Sequence, residues 1–257
     1  LVKAMFNDHG FRDEMRLAAV NSINWARILA QVVYYFTAAA ALGGPSRPVS
    51  FSVPTGNFGD VFAGYVARRM GLPIERLIVA TNVNDILHRT MTTGKHERAG
   101  AQATVAPSMD IEISSNFERL LFELYDRDGD AVSQLMEELA RGGFALAQGA
   151  RERMAALFGS ARAEEDAILA EIGRLRRETG MAIDPHTAIG TLGARAQRGD
   201  RRTPMVTLGT AHAAKFPDAV ERGCGARAAL PPRMADLMER EERISRAPND
   251  LGAVQAF

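Results

Sequence analysis

A single cysteine, Cys224, in 257 residues excludes an intrachain disulfide and a thiolate-based metal cluster. The thiol is expected to act as a small apolar side chain, and the compartment to be a reducing one, the cytoplasm. Lysine occurs only at Lys3, Lys95 and Lys215, so a mechanism that needs an amine nucleophile has few candidates. His9, His88, His96, His186 and His212 show no paired ligand spacing of the HExxH kind, and no Ser-His-Asp nucleophile elbow is present; no metal is expected. The longest strongly apolar stretch, Ile28 to Leu42, is interrupted by Gln31 and Thr37 and is shorter than the roughly 20 residues a bilayer requires. Thirty-one basic residues balance thirty-one acidic ones, which argues against nucleic-acid or membrane-surface binding driven by net positive charge.

What remains is a chain with 46% apolar residues, enough for one substantial core or two modest ones, and a set of strand-turn-helix junctions. The clearest runs from Phe51 to Pro73, FSVPTGNFGDVFAGYVARRMGLP. Phe51 and Val53 suit a buried strand that Pro54 ends, and Val61, Phe62, Tyr65, Val66 and Met70 recur at helical spacing. Asp60 is a candidate N-cap or first-turn acid, and Gly71-Leu72-Pro73 is a stop signal. A turn between strand and helix gathers unpaired N–H groups where the helix dipole favours an anion, and Gly56 and Gly59 let the backbone curl around a phosphate. The same sequence is also compatible with a tight turn that binds nothing.

Three further junctions repeat the pattern. Leu17-Ala18-Ala19-Val20 reads as a short strand before a polar turn and a long helix from about Asn24 to Leu42. That turn sets Asn21, Ser22 and Asn24 near a helix start with Arg27 on its first turn, which is either an anion grip or ordinary capping. Leu77 to Ala80 reads as a buried strand followed by the turn Asn82 to Asp85, and Thr203 to Val220 as strand, small-residue turn and helix. Helices are also expected over about 116–127, 163–180 and after Asp184, with a charged peripheral helix after Gly225. Apolar strands alternating with helices predict an α/β fold: an open, mostly parallel sheet with helices on both faces. In such a sheet the turns at 21–24, 56–60, 82–85 and 210–212 would gather on one edge.

Six blocks, NSINWARILAQ, PTGNFGDVFAGYVARRMGLP, ATNVNDIL, PSMDIEISSNFERLLFEL, DPHTAIG and TAHAAKFPDAV, occur between Asn21 and Val220 in the order found in threonine synthase, which this chain resembles. The resemblance implies a pyridoxal 5′-phosphate enzyme of the tryptophan synthase β-subunit fold group (fold type II), a lyase of threonine biosynthesis that converts O-phosphohomoserine and water to threonine and phosphate. It implies that Gly56, Asn57, Phe58, Gly59 and Asp60 cradle the cofactor phosphate and that Thr210 stands near the pyridine nitrogen. Asn21, Ser22, Asn24 and Arg27 match the corner that holds the substrate phosphate, apart from the cofactor's, and Trp25 and Phe58 are expected to pack. The implied partner is a small phosphorylated amino acid, with the chain a monomer or a homodimer. Residues 1–30 would be a remnant of a smaller α/β domain and 31–257 the larger, cofactor-binding domain with a helical cap.

Two departures accompany the resemblance. Ala213 stands where the family usually has proline. The Schiff-base lysine of the family belongs to a phenylalanine-lysine-aspartate motif that is missing, and none of the three lysines fits it. With no initiator methionine at Leu1, the chain is expected to be the carboxyl-terminal part of a longer enzyme, inactive alone and without a catalytic residue of its own. A related phospho-lyase, releasing a 2-oxo acid, and a non-catalytic phosphate-binding remnant are the alternative readings.

Overall fold

Every residue of β1 (Val49–Pro54) is buried, yet its two faces differ in size. Val49, Phe51 and Val53 enter one apolar cluster, while Ser50 and Ser52 face the other way. The strand therefore packs bulky side chains on one side and allows a helix to approach closely on the other. The computed structural model describes residues 1–257, apart from the side chain of Lys3.

The chain divides into two units, 1–21 with 229–257, and 22–228. The smaller contains α1 (Val2–Asn7), α2 (His9–Glu14) and, near the other terminus, a helix over Leu251–Gln255. Asp8 caps α2 by accepting from Phe11 N–H (3.1 Å), and its other oxygen accepts from Gln255 Nε2 (3.0 Å). The expected strand at Leu17 to Val20 does not form: Val20 is 82% exposed, and a short apolar run without a neighbouring strand has no ladder to join. The charged stretch after Gly225 also departs from expectation. It forms short 3₁₀ turns at Pro232–Met234 and Leu237–Glu239, and Met238 and Ile244 remain exposed, so no buried face supports a longer helix.

The larger unit begins with α3 (Trp25–Ala41), capped by the Asn24 side chain accepting from Ala26 N–H (3.0 Å). The expected domain boundary at residue 30 falls inside this helix. After β1 come α4 (Gly59–Arg69), β2 (Ile74–Thr81), α5 (Ile86–Thr93) and β3 (Lys95–Glu97). Next are α6 (Phe117–Leu124), α7 (Gly129–Ala140), β4 (Gly143–Ala145), α8 (Gln148–Ala155) and β5 (Phe158–Arg162). The unit closes with α9 (Glu165–Thr179), α10 (Pro185–Gln197), β6 (Met205–Thr207) and α11 (Pro217–Cys224).

The main sheet has the order β5-β2-β1-β6, with all three pairings parallel, so the carboxyl ends of its strands share one edge. β3 and β4 form a separate antiparallel pair. Helices α3 and α4 join Phe51, Val53, Leu77 and Val79 in one core cluster, and α9, α10 and α11 join Ala80 in a second. This is the open α/β sheet the sequence predicts. Helix α10 sits directly on the serine face: Ser52 Oγ donates to Gly190 O (2.7 Å), and a Cβ at Gly190 would meet Thr207 Cγ2 at 2.8 Å and Pro54 Cγ at 2.9 Å. Gly190→Val is therefore expected to destabilise the fold by about 1–3 kcal/mol through overpacking, read as a lower urea midpoint. An unchanged midpoint would contradict the close approach.

Candidate functional site

The turn after β1 is fixed at each step by specific partners. Thr55 N–H continues the ladder to Ala80 O (2.8 Å), which covers the place where Pro54 has no donor to offer. Ser114 Oγ donates to Gly56 O (2.6 Å), and Asn116 donates to Asn57 O from both its backbone N–H and its side-chain Nδ2, each at 3.1 Å. Phe58 then adopts the left-handed conformation, with φ 63°, and helix α4 starts at the next residue. A bulky residue rarely holds that conformation. Here its ring is 1% exposed and locked between Phe117, at a centroid distance of 5.2 Å, and Phe158, at 5.9 Å. Phe58 thus packs, as expected, and it supplies the turn's positive φ, which the sequence suggests the glycines would do.

The first rung of α4 is Phe62 N–H donating to Phe58 O (3.0 Å). Among the described residues, the N–H groups of Asn57, Phe58, Gly59, Asp60 and Val61 ahead of it donate to no protein acceptor. Ser22, Arg27, Gln31 and residues 54–61 enclose a cavity of about 130 Å³ at this point. Its size matches about four waters at roughly 30 Å³ each, room for one tetrahedral oxyanion. Among the described residues the Arg27 guanidinium has no ion-pair or hydrogen-bond partner. The cavity accordingly combines a helix N-terminus, unused backbone donors and one cation, the chemistry that holds a phosphate.

The glycines contribute unequally. A Cβ at Gly56 would lie 2.9 Å from the Ser108 carbonyl oxygen and 3.3 Å from Met109 Cα. At Gly59 it would meet Asn116 Nδ2 at 3.4 Å, Gln31 Oε1 at 3.7 Å and Ser22 O at 3.9 Å, which are ordinary contacts. The turn carrying Ser108 is itself braced from beneath. Ser108 N–H donates to His186 Nε2 (3.3 Å), while His186 Nδ1 lies 2.8 Å from Asp184 Oδ1, an arrangement that requires the neutral Nδ1–H tautomer. Burial pushes the Asp184 carboxyl up, but donors from His186 and Thr187 outweigh it and leave the group below its ordinary value.

Ser22 and Arg27 line the same cavity as the glycine turn, although the resemblance keeps their phosphate apart from the cofactor's. Asn24 spends its side-chain oxygen on the α3 cap, and Asn21 belongs to the smaller unit. Thr210 is exposed in the loop leaving β6 and does not border this cavity. The turn at 82–85 serves as scaffold: Asn82 and Asn84 both donate to Asp110 Oδ1 (2.8 Å each), anchoring the segment that covers Gly56. Trp25 is 46% exposed, with the Arg119 guanidinium 5.6 Å from its ring centre, so its expected packing role does not hold. Lys95 and Lys215 lie outside the cavity.

Sequence reasoning missed Asn116, which is fully buried and also donates from Nδ2 to Ser22 O (2.8 Å). It links the glycine turn to the segment that positions Arg27. Arg119 supports it, donating to Asn116 Oδ1 (3.0 Å) and to Ile23 O (2.8 Å). The available signal was a polar amide directly before the apolar face of α6.

Asp60 lines the cavity one residue into α4. Burial pushes its carboxyl up to about 6, with the Tyr35 hydroxyl acting in the opposite direction. That hydroxyl donates mainly to Asp60 O (2.7 Å) and lies 3.4 Å from Oδ1. Because the folded value exceeds the ordinary 3.8, Asp60 takes up a proton on folding. Its contribution is fully present below about pH 4 and is lost as the pH rises through about 6. Asp60→Asn should therefore remove about 2–3 kcal/mol of the stability lost between pH 4 and pH 8, measured by urea titration at both values; identical losses in both proteins would contradict this. Gly56→Ala should cost about 1–3 kcal/mol in the same assay, and Gly59→Ala none.

Residues 187–257 match the family described as Threonine synthase, C-terminal. The whole chain is 54% identical to a threonine synthase of Pseudomonas aeruginosa and 43% identical to one of Corynebacterium glutamicum, covering 55% of each. Among solved structures, a PLP-bound threonine synthase from Brucella melitensis superposes with a TM-score of 0.96 at 53% identity, over 99% of this chain and 55% of that one. The yeast threonine synthase gives 0.84 at 40% identity, over 94% of this chain and 52% of that one. A T.th. threonine deaminase, at 14% identity and a TM-score of 0.50, shares the fold alone. The chain spans about half the length of the curated relatives it matches. It is thus similar along its whole length to a part of the threonine synthases, with residues 187–257 matching their carboxyl-terminal family.

Proposed function

We propose that this chain is the cofactor-phosphate-binding portion of a threonine synthase, acting on O-phosphohomoserine with pyridoxal 5′-phosphate. The observation that carries the reading is the row of unused N–H groups from Asn57 to Val61 around a cavity that also holds Arg27. The fit is chemical as well as spatial, since Gly56 leaves the backbone free to curl beneath Ser108 and, among the described residues, no acidic side chain pairs with Arg27. When bound, the cofactor supplies an electron sink for carbanion chemistry.

The chain's own residues bind and orient. The Gly56 to Asp60 turn holds the cofactor phosphate through backbone donors, and Ser22 and Arg27 complete the same anion site. Asn21 and Asn24 are assigned to the substrate's phosphate, and Thr210 to the pyridine nitrogen; a neutral hydroxyl there leaves that nitrogen largely unprotonated. An amine base for the substrate's α-proton is outside this assignment, because neither Lys95 nor Lys215 borders the cavity. The cytoplasm and a soluble monomer or homodimer complete the reading. Among the described residues no helix is long and apolar enough to cross a membrane.

Calorimetric titration separates the phosphate requirement from the rest. Pyridoxal 5′-phosphate should bind at least about tenfold more tightly than pyridoxal, and Arg27→Ala should remove about 1.5–3 kcal/mol of that preference. Equal affinity for both compounds would overturn the site assignment. With O-phosphohomoserine, this chain alone should release neither phosphate nor threonine. Supplied with the remaining portion of a relative's chain, it should release both in equal amounts, whereas 2-oxo acid in place of threonine would favour the phospho-lyase.

A further inference from the structure

The cavity carries an acid where an anion is expected. Asp60 lines the cavity and carries one of its unused N–H groups, its carboxyl lies beside the buried Tyr35 hydroxyl, and Arg27 lines the same cavity. Among the described residues no cation is paired with Asp60; its polar neighbour is the fully buried Tyr35 hydroxyl, which is committed chiefly to the backbone carbonyl. A dianion held by the turn would therefore lie near the buried carboxyl of a residue that lines the same cavity, and low-dielectric surroundings leave the repulsion between them poorly screened. Neutralising the carboxyl removes that repulsion.

We propose that Asp60 is the proton-linked group of this anion site: at neutral pH it is protonated when an oxyanion occupies the cavity and ionised when the cavity is empty. The proposal rests on the reading of the Gly56 to Asp60 turn as a phosphate site and makes occupancy of that site dependent on pH. Burial already holds the Asp60 carboxyl at about 6, so a nearby negative charge moves its titration into the neutral range. Binding and protonation then favour each other to the same degree, as linkage requires.

The surrounding groups leave Asp60 as the source of the effect. Of the elements packed against α4, α3 contributes Arg27, Tyr35 and the exposed Tyr34; α6 contributes Glu118, Arg119 and Glu123; β2 contributes Glu75 and Arg76; and β1 contributes no charged residue. Arg119 is committed to Asn116 and Ile23, Glu123 to Arg69 and Arg127, Glu75 to Thr203, and Arg76 to Ala155 and Phe158. Glu118 borders a separate groove of about 690 Å³ beside α4, away from the cavity. Arginine does not titrate in the range concerned, and burial together with the Asp60 charge pushes the Tyr35 hydroxyl well above its usual value.

Sulfate tests the proposal because it remains a dianion throughout the accessible range. Its affinity for the chain is measured by calorimetry between pH 5 and pH 8, in pairs of buffers with different ionisation enthalpies so that protons taken up are counted. Wild type should bind at least about fivefold more weakly at pH 8 than at pH 5, with net proton uptake near neutrality. Asp60→Asn should be flat across the range and bind more tightly than wild type at pH 8. Tyr35→Phe, which removes the donor that lowers the Asp60 carboxyl, should shift the profile to higher pH and provides a second test if Asp60→Asn fails to fold. Sulfate binding with no pH dependence, or the same dependence in Asp60→Asn, overturns the proposal and leaves the phosphate site standing. No binding of sulfate or of pyridoxal 5′-phosphate at any pH overturns both.

Discussion

One side-chain amide holds the candidate site together. Asn116 Nδ2 donates to Asn57 O in the glycine turn and to Ser22 O before α3, and the residue is fully buried. Without that bridge the Ser22 carbonyl loses the amide donor and Asn57 O keeps only the Asn116 backbone N–H, and the turn and Arg27 no longer share a fixed frame. The sheet brings β1 to the site and α3 brings the guanidinium, while the start of α6 sets the spacing between them. A phosphate site of this kind depends on geometry far more than on side-chain identity, because most of its donors are backbone N–H groups.

The remaining architecture allows that geometry to persist. β1 is buried on both faces, with serines under α10 and aromatic and branched residues under α3 and α4, so its end is rigid where the turn begins. Above the turn, the Ser108 segment is braced by the Asp184 and His186 pair and by Asp110 with its asparagine donors. Apart from His186, in the first turn of α10, these polar residues lie on loops between apolar elements, and all of them serve to place the backbone. Phe58 shows what the arrangement tolerates: a left-handed backbone at a bulky residue, held by its ring between two other aromatic rings.

Much of the fold was legible because β1, β2, α3, α4, α6, α9 and α10 carry strong apolar patterns with capping or stop residues. The strand β5 was not, since Phe-Gly-Ser-Ala-Arg has one large apolar side chain and becomes a strand by pairing with β2. Leu17 to Val20 failed in the opposite sense, offering strand-compatible residues with no strand beside them. At the site, the position of the turn between β1 and α4 was legible from glycine spacing and from Asp60. The roles within it were not, because the steric demand at Gly56 comes from Ser108, far along the chain, and the positive φ belongs to Phe58. Asn116 escaped notice for the same reason, its two acceptors being brought to it only by the tertiary fold.

The central claim is that the backbone donors at the start of α4 bind a phosphate. Amide chemical shifts of the nitrogen-15-labelled chain, followed as inorganic phosphate is added, test it most directly. The account predicts that Phe58, Gly59, Asp60 and Val61 shift together along one saturable curve. Saturable shifts confined to another region, such as the basic residues Lys215 and Arg222, with those four amides unmoved, would contradict it.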